Sequence, residues 1–446
     1  MLLTVRPHPD GVGDANIRKI CTFAQNIESP MDKRVVITGL GVVSCVGNNV
    51  SDFWGNLVNG VCGIDFITEF PTEGLSVKIG GKVRNFNPEE FGMEKPFIRK
   101  QDPFTLYAMA AAVQAMTDAG LSTEENGNIA PERLGTYVSS GIGGFQSIYN
   151  ECVKMYEEPS GQWISPHFVP TMIPNVAGAQ IAMRFNAQGP CIDVSTACAS
   201  STHSIGEAYR AIRHGYADAI IAGGSDHCTI PIGLSSFANC KALTKEENPK
   251  HACLPFNLDR GGFVMADGGA VLVLEEYGHA VSRGATIYAE MVGYGSTCDA
   301  YHTTAPRPDG TTQARCIKNA LEEAGFDSSK DKVYINAHGT GTRLNDSSET
   351  LAFKLAFGDF ARNLHISSTK SMHGHMLGGT GAAEAIATIL ALRDGVVPPT
   401  INLDNPDPEC DLDYTPNKAV KAELSLGLSD SFGFGGHNAC VAFRKL

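Results

Sequence analysis

An α/β fold is expected for this chain from three features of the sequence. Short β-branched runs alternate with segments of helical period along its length, 43% hydrophobic and 19% charged residues give the composition of a dense globule, and two stretches repeat a similar order of motifs. At 446 residues the chain is far longer than the roughly 150 of an average domain, so two core-forming units or one large fold are expected.

Taken in order, residues 1–30 are polar and irregular and are expected to form an N-terminal extension outside the fold. Met31-Asp32-Lys33-Arg34 leads into a first strand, Arg34–Thr38. Further strands are expected at Thr136–Ser140, Ile192–Thr196, Ala219–Ala222, Ala270–Leu274, Ile287–Val292, Val333–Asn336, His365–Ser368 and Ala439–Phe443, where β-branched residues cluster. Apolar residues three or four apart predict helices over Pro103–Ala119, Ala199–His214, Thr312–Ala324, Asp346–Phe357 and Ala382–Arg393. The strand at Thr136–Ser140 with the turn and helix after Asp193–Ser200 is echoed by the strand at Val333 and the segment His365–His375, again followed by an apolar helix. This faint duplication divides the chain near residues 278–286, giving halves of 31–282 and 283–446.

Lys and Arg number 35 against 48 Asp and Glu, a formal charge of −13 that opposes binding to nucleic acid or an anionic membrane over the surface as a whole. Glu384 and Asp267 interrupt the longest apolar stretches, so no membrane span is expected. Thirteen cysteines, an odd number without a C-x-x-C pair or a secretory apolar region, point to reduced thiols and a cytoplasmic compartment.

Cys198 lies where an apolar strand passes through small residues into a helix. Unpaired N–H groups at a helix N-terminus favour a thiolate, so Cys198 is a candidate nucleophile; a buried cysteine acting as a small hydrophobe is the plainer alternative. His338 and His375 are each expected to end a strand, and ligands of open α/β sheets collect at the carboxyl ends of strands, so a cysteine and two histidines could converge at one crevice. Each histidine could equally be a capping or surface residue. His373-x-His375 could in principle hold a metal, but no H-E-x-x-H and no third ligand at a recognisable spacing occur, and no metal is expected. Phe432-Gly-Phe434-Gly-Gly-His437-Asn438 sets two aromatics among glycines before the last strand, either a mobile gate or an ordinary hairpin turn. The glycine strings at 141–144 and 378–381 fit no dinucleotide or P-loop spacing, so nucleotide binding is not expected.

Val35–Gly41, Ser195–Ser200, Gly262–Met265, Asp299–His302, Asn336–Thr340, Ser367–Ser371 with Gly374-His375, and Ser431–Gly436 follow one another as in a known family. In these motifs the chain, from about Met31 to Leu446, resembles the elongating, type II 3-oxoacyl-[acyl-carrier-protein] synthases. The resemblance implies a thiolase-like fold, two similar halves in five αβαβα layers, working as a homodimer. It implies that Cys198 takes an acyl chain from acyl-carrier protein as a thioester, which the enolate left by decarboxylation of malonyl-carrier protein then attacks, a decarboxylative Claisen condensation. By the same resemblance, His338 and His375 donate hydrogen bonds to the enolate oxygen, while the backbone amides of Cys198 and Phe434 form an oxyanion hole. Lys370 and Glu384 would organise the histidine pair, with Asp346 and Glu349 in support. Thr340, Thr342 and Phe432 would meet the substrate, and Ile142 would bear on chain length at the far end of the acyl pocket. Arg99, Lys100, Lys241 and Lys245 would present a basic patch to the acidic carrier. The phosphopantetheine arm belongs to the carrier, so no cofactor of the synthase itself is implied.

Five positions depart from the family pattern. Its usual Arg-Asp-Gly-Phe reads Arg260-Gly261-Gly262-Phe263, a Gly-Glu pair reads Ala266-Asp267, the proline after the threonine loop is Arg343, and the threonine before the terminal asparagine is His437. Gly341-Thr342-Arg343 is also similar to ketosynthases of aromatic polyketide pathways, whose chemistry is the same. Three other readings stand further off. A coenzyme A-dependent thiolase needs a second cysteine where Phe434 stands; a non-catalytic partner subunit would not be expected to keep Cys198; and nothing selects water as the acceptor for a cysteine hydrolase.

Overall fold

The computed structural model describes residues 33–446, so the extension expected at residues 1–30 lies outside the described residues. Among the described residues, nine strands form one mixed sheet: β1 (Val35–Val43), β2 (Leu134–Ser139), β3 (Ala219–Asp226), β4 (Gly268–Glu276), β5 (Ala289–Cys298), β6 (Val333–Asn336), β7 (His365–Ser367), β8 (Leu426–Gly433) and β9 (His437–Arg444). Their order across the sheet is β2-β3-β4-β1-β5-β9-β8-β6-β7.

That order is the same half-sheet written twice. In the first half, β2 and β3 are parallel, and β4 and β1 then join antiparallel. In the second, β6 and β8 are parallel, and β9 and β5 join antiparallel. The halves meet where Val35, Val36 and Ile37 of β1 pair with Met291, Glu290 and Ala289 of β5.

Five helices complete the layers: α1 (Pro103–Ala119), α2 (Ser200–Arg213), α3 (Thr311–Glu323), α4 (Arg343–Phe357) and α5 (Thr380–Asp394). Side chains alternate across a strand, which decides what each face meets. Val271 and Val273 of β4 pack outward with α1, while Leu272 and Leu274 pack inward with apolar residues of α2 and α5. On the other side, Ile335 of β6 and Leu428 of β8 pack with Ile317 of α3 and Phe353 of α4. Helix, sheet, helix pair, sheet and helix therefore stack as five layers, with α2 and α5 in the middle. Helix α5 touches strands of both half-sheets, and every residue from Thr380 to Leu392 is buried.

Local sequence explains the best-defined ends. Asp102 accepts the N–H of Phe104, Pro103 opens α1, and Gly120 at φ +62° closes it. One expectation fails: Ile192–Thr196 is not a ladder strand. The segment makes a single parallel bridge, Thr136 to Cys191, in the position that β7 takes beside β6. Beyond it the bonds go to side chains instead, as the Val194 N–H donates to Ser139 Oγ at 2.8 Å while the chain bends toward Cys198. Strand β8 and helices at Val50–Val58, Phe145–Glu157, Val176–Arg184 and Pro231–Asn239 were not among the expected elements.

Candidate active site

The nucleophile candidate stands on a strained turn. Ala197 has φ +52°, a left-handed conformation that costs an L-residue roughly 1–2 kcal/mol, and a 3-10 turn over Ala197–Ala199 leads into α2. Ser200 Oγ holds the turn by accepting the Thr196 N–H at 2.9 Å and donating to the Ala197 carbonyl at 2.7 Å. Gly433, at the end of β8, comes so near that an added Cβ would lie 3.2 Å from the Cys198 nitrogen. The Phe432–Asn438 motif forms the β8–β9 hairpin turn, and it lays the Phe434 amide against the Cys198 sulfur.

His338 leaves β6 and is fixed through its backbone. Its N–H donates to Glu349 Oε1 at 2.7 Å and to Asp430 Oδ1 at 2.8 Å, and the next N–H, of Gly339, donates to Glu349 Oε2 at 2.8 Å. Burial, and then the neighbouring charge of Asp430, push the Glu349 carboxyl well up. His375 does not end a strand as expected: a short helical turn, Lys370–His373, separates it from β7, and it bridges in parallel to Met265. Its Nδ1 meets Thr380 Oγ1 at 2.9 Å.

The two imidazoles stand edge to face with centroids 5.4 Å apart. Each leaves one buried ring nitrogen without a protein partner, Nδ1 of His338 and Nε2 of His375. Burial, and then the charge of Lys370, hold both rings well below the usual histidine range, so both are neutral at neutral pH. Lys370 is itself fully buried and donates to Glu384 Oε1 at 2.6 Å, while burial raises the Glu384 carboxyl against that pull. For Cys198, burial pushes the thiol up to about 11, although Lys370 and the N–H groups of Phe434 and of Cys198 itself draw it down. The helix-end pull expected to favour a thiolate is thus outweighed by desolvation, and the resting group is a thiol.

A cavity of about 340 Å³ brings Cys198, His338 and His375 into one wall, with Thr340, Thr342, Phe432 and Phe434 beside them. The hydroxyls of Thr340 and Thr342 are 2.9 Å apart. Asp346 is buried behind them and takes the N–H of Phe256 at 2.8 Å and of Gly341 at 3.3 Å. Ile142 is not on the cavity wall; it packs against the apolar cluster that contains Cys198. Arg99, Lys100 and Lys245 are exposed and off the wall, whereas exposed Lys241 is on it.

The departures have structural homes. Buried Arg260 donates to the carbonyls of Asn257, Thr342 and Arg343 and pairs with Asp407. Asp267 accepts from Lys82 at 2.8 Å and from the amides of Cys228 and Thr229. His437 stands edge-on to His203. His373 is turned to protein partners, Gly374 O and Thr369 Oγ1, and among the described residues no group of three His, Cys, Asp or Glu is placed to hold a metal. Asp430 and Thr380 were missed in sequence; a lone aspartate within the otherwise apolar and small-residue run Leu426–Phe432 was the available signal for the first.

A duplicated five-layer fold with a cysteine on a strained turn and two neutral imidazoles in one cavity defines a thiolase-like condensing enzyme, an acyltransferase. The description "Beta-ketoacyl synthase, N-terminal domain" matches residues 32–280 and "Beta-ketoacyl synthase, C-terminal domain" matches residues 288–404. The chain belongs to the beta-ketoacyl synthase family. It is 44% identical to 3-oxoacyl-[acyl-carrier-protein] synthase 2 of Staphylococcus aureus (strain COL) over 414 residues, 93% of this chain and 99% of the relative. Identity is also 44% to the enzyme of the same name from Synechocystis, over 93% of this chain and 98% of that one. Among solved structures, the ishigamide ketosynthase/chain length factor is similar with TM-score 0.86 and 34% identity, over 93% of this chain and 100% of that one. The ketosynthase complex AntDE:AntF, with a type II polyketide acyl-carrier protein, is similar with TM-score 0.85 and 34% identity over the same shares. Among the described residues, no helix is long and apolar enough to cross a membrane.

Proposed function

We propose that this chain elongates acyl-carrier protein thioesters by two carbons in fatty acid biosynthesis, condensing them with malonyl-carrier protein. The observation that carries the reading is the meeting of Cys198 with two buried imidazole nitrogens that have no protein partner, in one cavity. The Cys198 sulfur attacks the carrier thioester; its proton leaves with the carrier thiol, and the amides of Cys198 and Phe434 receive the oxyanion. The malonyl thioester then loses carbon dioxide, and the bonding pair of the broken C–C bond becomes an enolate. Neutral His338 and His375 donate to its oxygen, where charge appears only as the bond breaks, which lowers that barrier by differential binding. The enolate carbon attacks the Cys198 thioester and expels the sulfur as thiolate, which takes a proton from water. Lys370, Glu384, Asp346 and Glu349 position this pair and the threonine loop, Thr340, Thr342 and Phe432 guide the arm, and Ile142 bears on acyl length.

The carrier protein would dock on Arg99, Lys100, Lys241 and Lys245, local cations on an acidic chain. We further infer a cytoplasmic homodimer, with halves dividing at residue 282. The dimer is supported by the open edge beyond β2, where Ile192 is 48% exposed, and by exposed Trp163, Val169 and Met183. A second reading, a type II polyketide ketosynthase, is favoured by Gly341-Thr342-Arg343. The test offers the purified protein carrier-bound acyl chains of graded length with malonyl-carrier protein and weighs the products. Single two-carbon extensions with full β-keto products support lipid elongation, and repeated unreduced extension supports the second reading. Cys198→Ala is expected to abolish acyl loading and condensation; turnover at the wild-type rate overturns the nucleophile assignment.

A further inference from the structure

The mouth of the catalytic cavity carries two cations that no carboxylate pairs, although Arg343 Nε also reaches the Arg260 carbonyl at 3.5 Å. Lys241 and Arg343 both line it, both are exposed, and among the described residues neither has a carboxylate within ion-pair distance. On a chain of net charge −13, two cations that line one concavity without a carboxylate partner are a local positive feature. Asp407, which feels the charge of Arg343, is already engaged by the buried Arg260 guanidinium.

The backbone brings the two together. The Phe263 N–H donates to the Ala242 carbonyl at 2.9 Å, and the Gly262 N–H to the Gly341 carbonyl at 3.0 Å. Residues 261–263 therefore run as a rib between the segment carrying Lys241 and the segment carrying Arg343. On that rib, Gly261 lines the cavity, and a Cβ built there would meet nothing within 4 Å. The space between the cations is open, and the aspartate usual at this position in the family is missing from it. Arg343 is the first residue of α4, a place where proline is well tolerated, so helix geometry alone does not call for an arginine. Arg343 also walls a second groove of about 470 Å³, together with Arg260, Asp259, Asp407 and Glu409; its three acids would repel an anion there, which leaves the cavity side for the ligand.

We propose that Lys241 and Arg343 clamp the phosphate at the outer end of a phosphopantetheine thioester, in the space left by Gly261. The inference rests on the carrier-thioester reading above and reassigns Lys241 from the carrier's surface to its prosthetic arm. The same phosphate chemistry is offered by the arm of a carrier protein and by coenzyme A.

The test measures acyl transfer to Cys198, by intact mass, from acyl-pantetheine, acyl-phosphopantetheine, acyl-coenzyme A and acyl-carrier protein. At low salt, wild type is expected to load from acyl-phosphopantetheine about tenfold faster than from acyl-pantetheine, and added salt should erode the preference. Lys241→Ala combined with Arg343→Pro should bring that ratio to about one, with a matching loss for acyl-coenzyme A and acyl-carrier protein. Gly261→Asp, which adds a carboxylate between the cations without touching either, should lower the ratio too. Equal wild-type rates for the two pantetheine thioesters, or an unchanged ratio in the variants, overturns the clamp. A loss confined to acyl-carrier protein also overturns it, because the cations then face the carrier's acidic surface. If no thioester loads Cys198 in wild type, the carrier-thioester reading fails, and calorimetric binding of phosphopantetheine against pantetheine still decides the clamp.

Discussion

Gly433→Ala isolates the contribution of the hairpin turn to acyl transfer. The added methyl carbon would stand 2.8 Å from the Thr196 carbonyl oxygen and 3.2 Å from the nitrogens of Ala199 and Cys198, where ordinary contact begins near 3.4 Å. Relief of the worst contact requires a retreat of 3.4 − 2.8, about 0.6 Å. The adjoining Phe434 amide moves with the turn, and a hydrogen bond of ordinary length stretched by that much is close to lost. Removing one donor from an oxyanion hole costs on the order of 100- to 1,000-fold in rate, so acyl loading should fall by that factor. The packing strain itself should cost about 1–3 kcal/mol, a modest lowering of Tm that leaves the protein folded. Intact-mass measurement of acyl-Cys198 against time reads the first effect, and thermal unfolding reads the second. Carbon dioxide release from malonyl-carrier protein, which depends on the imidazoles, should fall much less. Loading at the wild-type rate in a folded Gly433→Ala protein would show that the amide of Phe434 plays no part.

Alanine at His338 or His375 is expected to slow decarboxylation by roughly 100-fold or more while acyl loading falls less; equal and small effects on both steps would remove the enolate role. His373 gives a pH prediction. Burial holds it down at about 3, so below the ordinary histidine value near 6.5 the unfolded chain takes up a proton that the folded one refuses. Its contribution to stability is present above 6.5 and is lost as pH falls toward 3. Between pH 7.5 and 5.5 wild type should therefore lose about 1.4 kcal/mol relative to His373→Gln, as read by urea unfolding at the two pH values. Parallel curves would mean that the ring protonates freely in the fold. Reversing the charges of Arg99 and Lys100 should weaken acyl-carrier protein binding, most at low salt, and unchanged affinity would discard that patch.

How much of this was legible in sequence depended on whether the signal was local. Helix α1 carries its own punctuation in Asp102, Pro103 and Gly120, and strand Val333–Asn336 is marked by its β-branched run, so both were placed with correct bounds. Strand β8 was not, because Gly427, Ser429, Asp430 and Ser431 deny it the residues that favour strands. Its glycine is explained only by the packed fold, where a Cβ on Gly427 would lie 2.6 Å from Thr388 of α5. The same division runs through the site. Cys198, His338 and His375 stand out by residue type and motif, whereas Asp430 acts by a hydrogen bond to the His338 amide that exists only once distant segments have met, and Thr380, only five residues beyond His375, is one more hydroxyl in a small-residue run. The Ile192–Thr196 segment had strand composition, but composition does not supply the neighbour that a ladder needs.

Helix α5 has no wet side. Wedged between two half-sheets with Glu384 and its lysine partner sealed inside, it would be an insoluble rod if it formed ahead of its surroundings. Any delay in covering it leaves a sticky apolar cylinder open to other chains, and neither half of the chain can rehearse the chemistry alone.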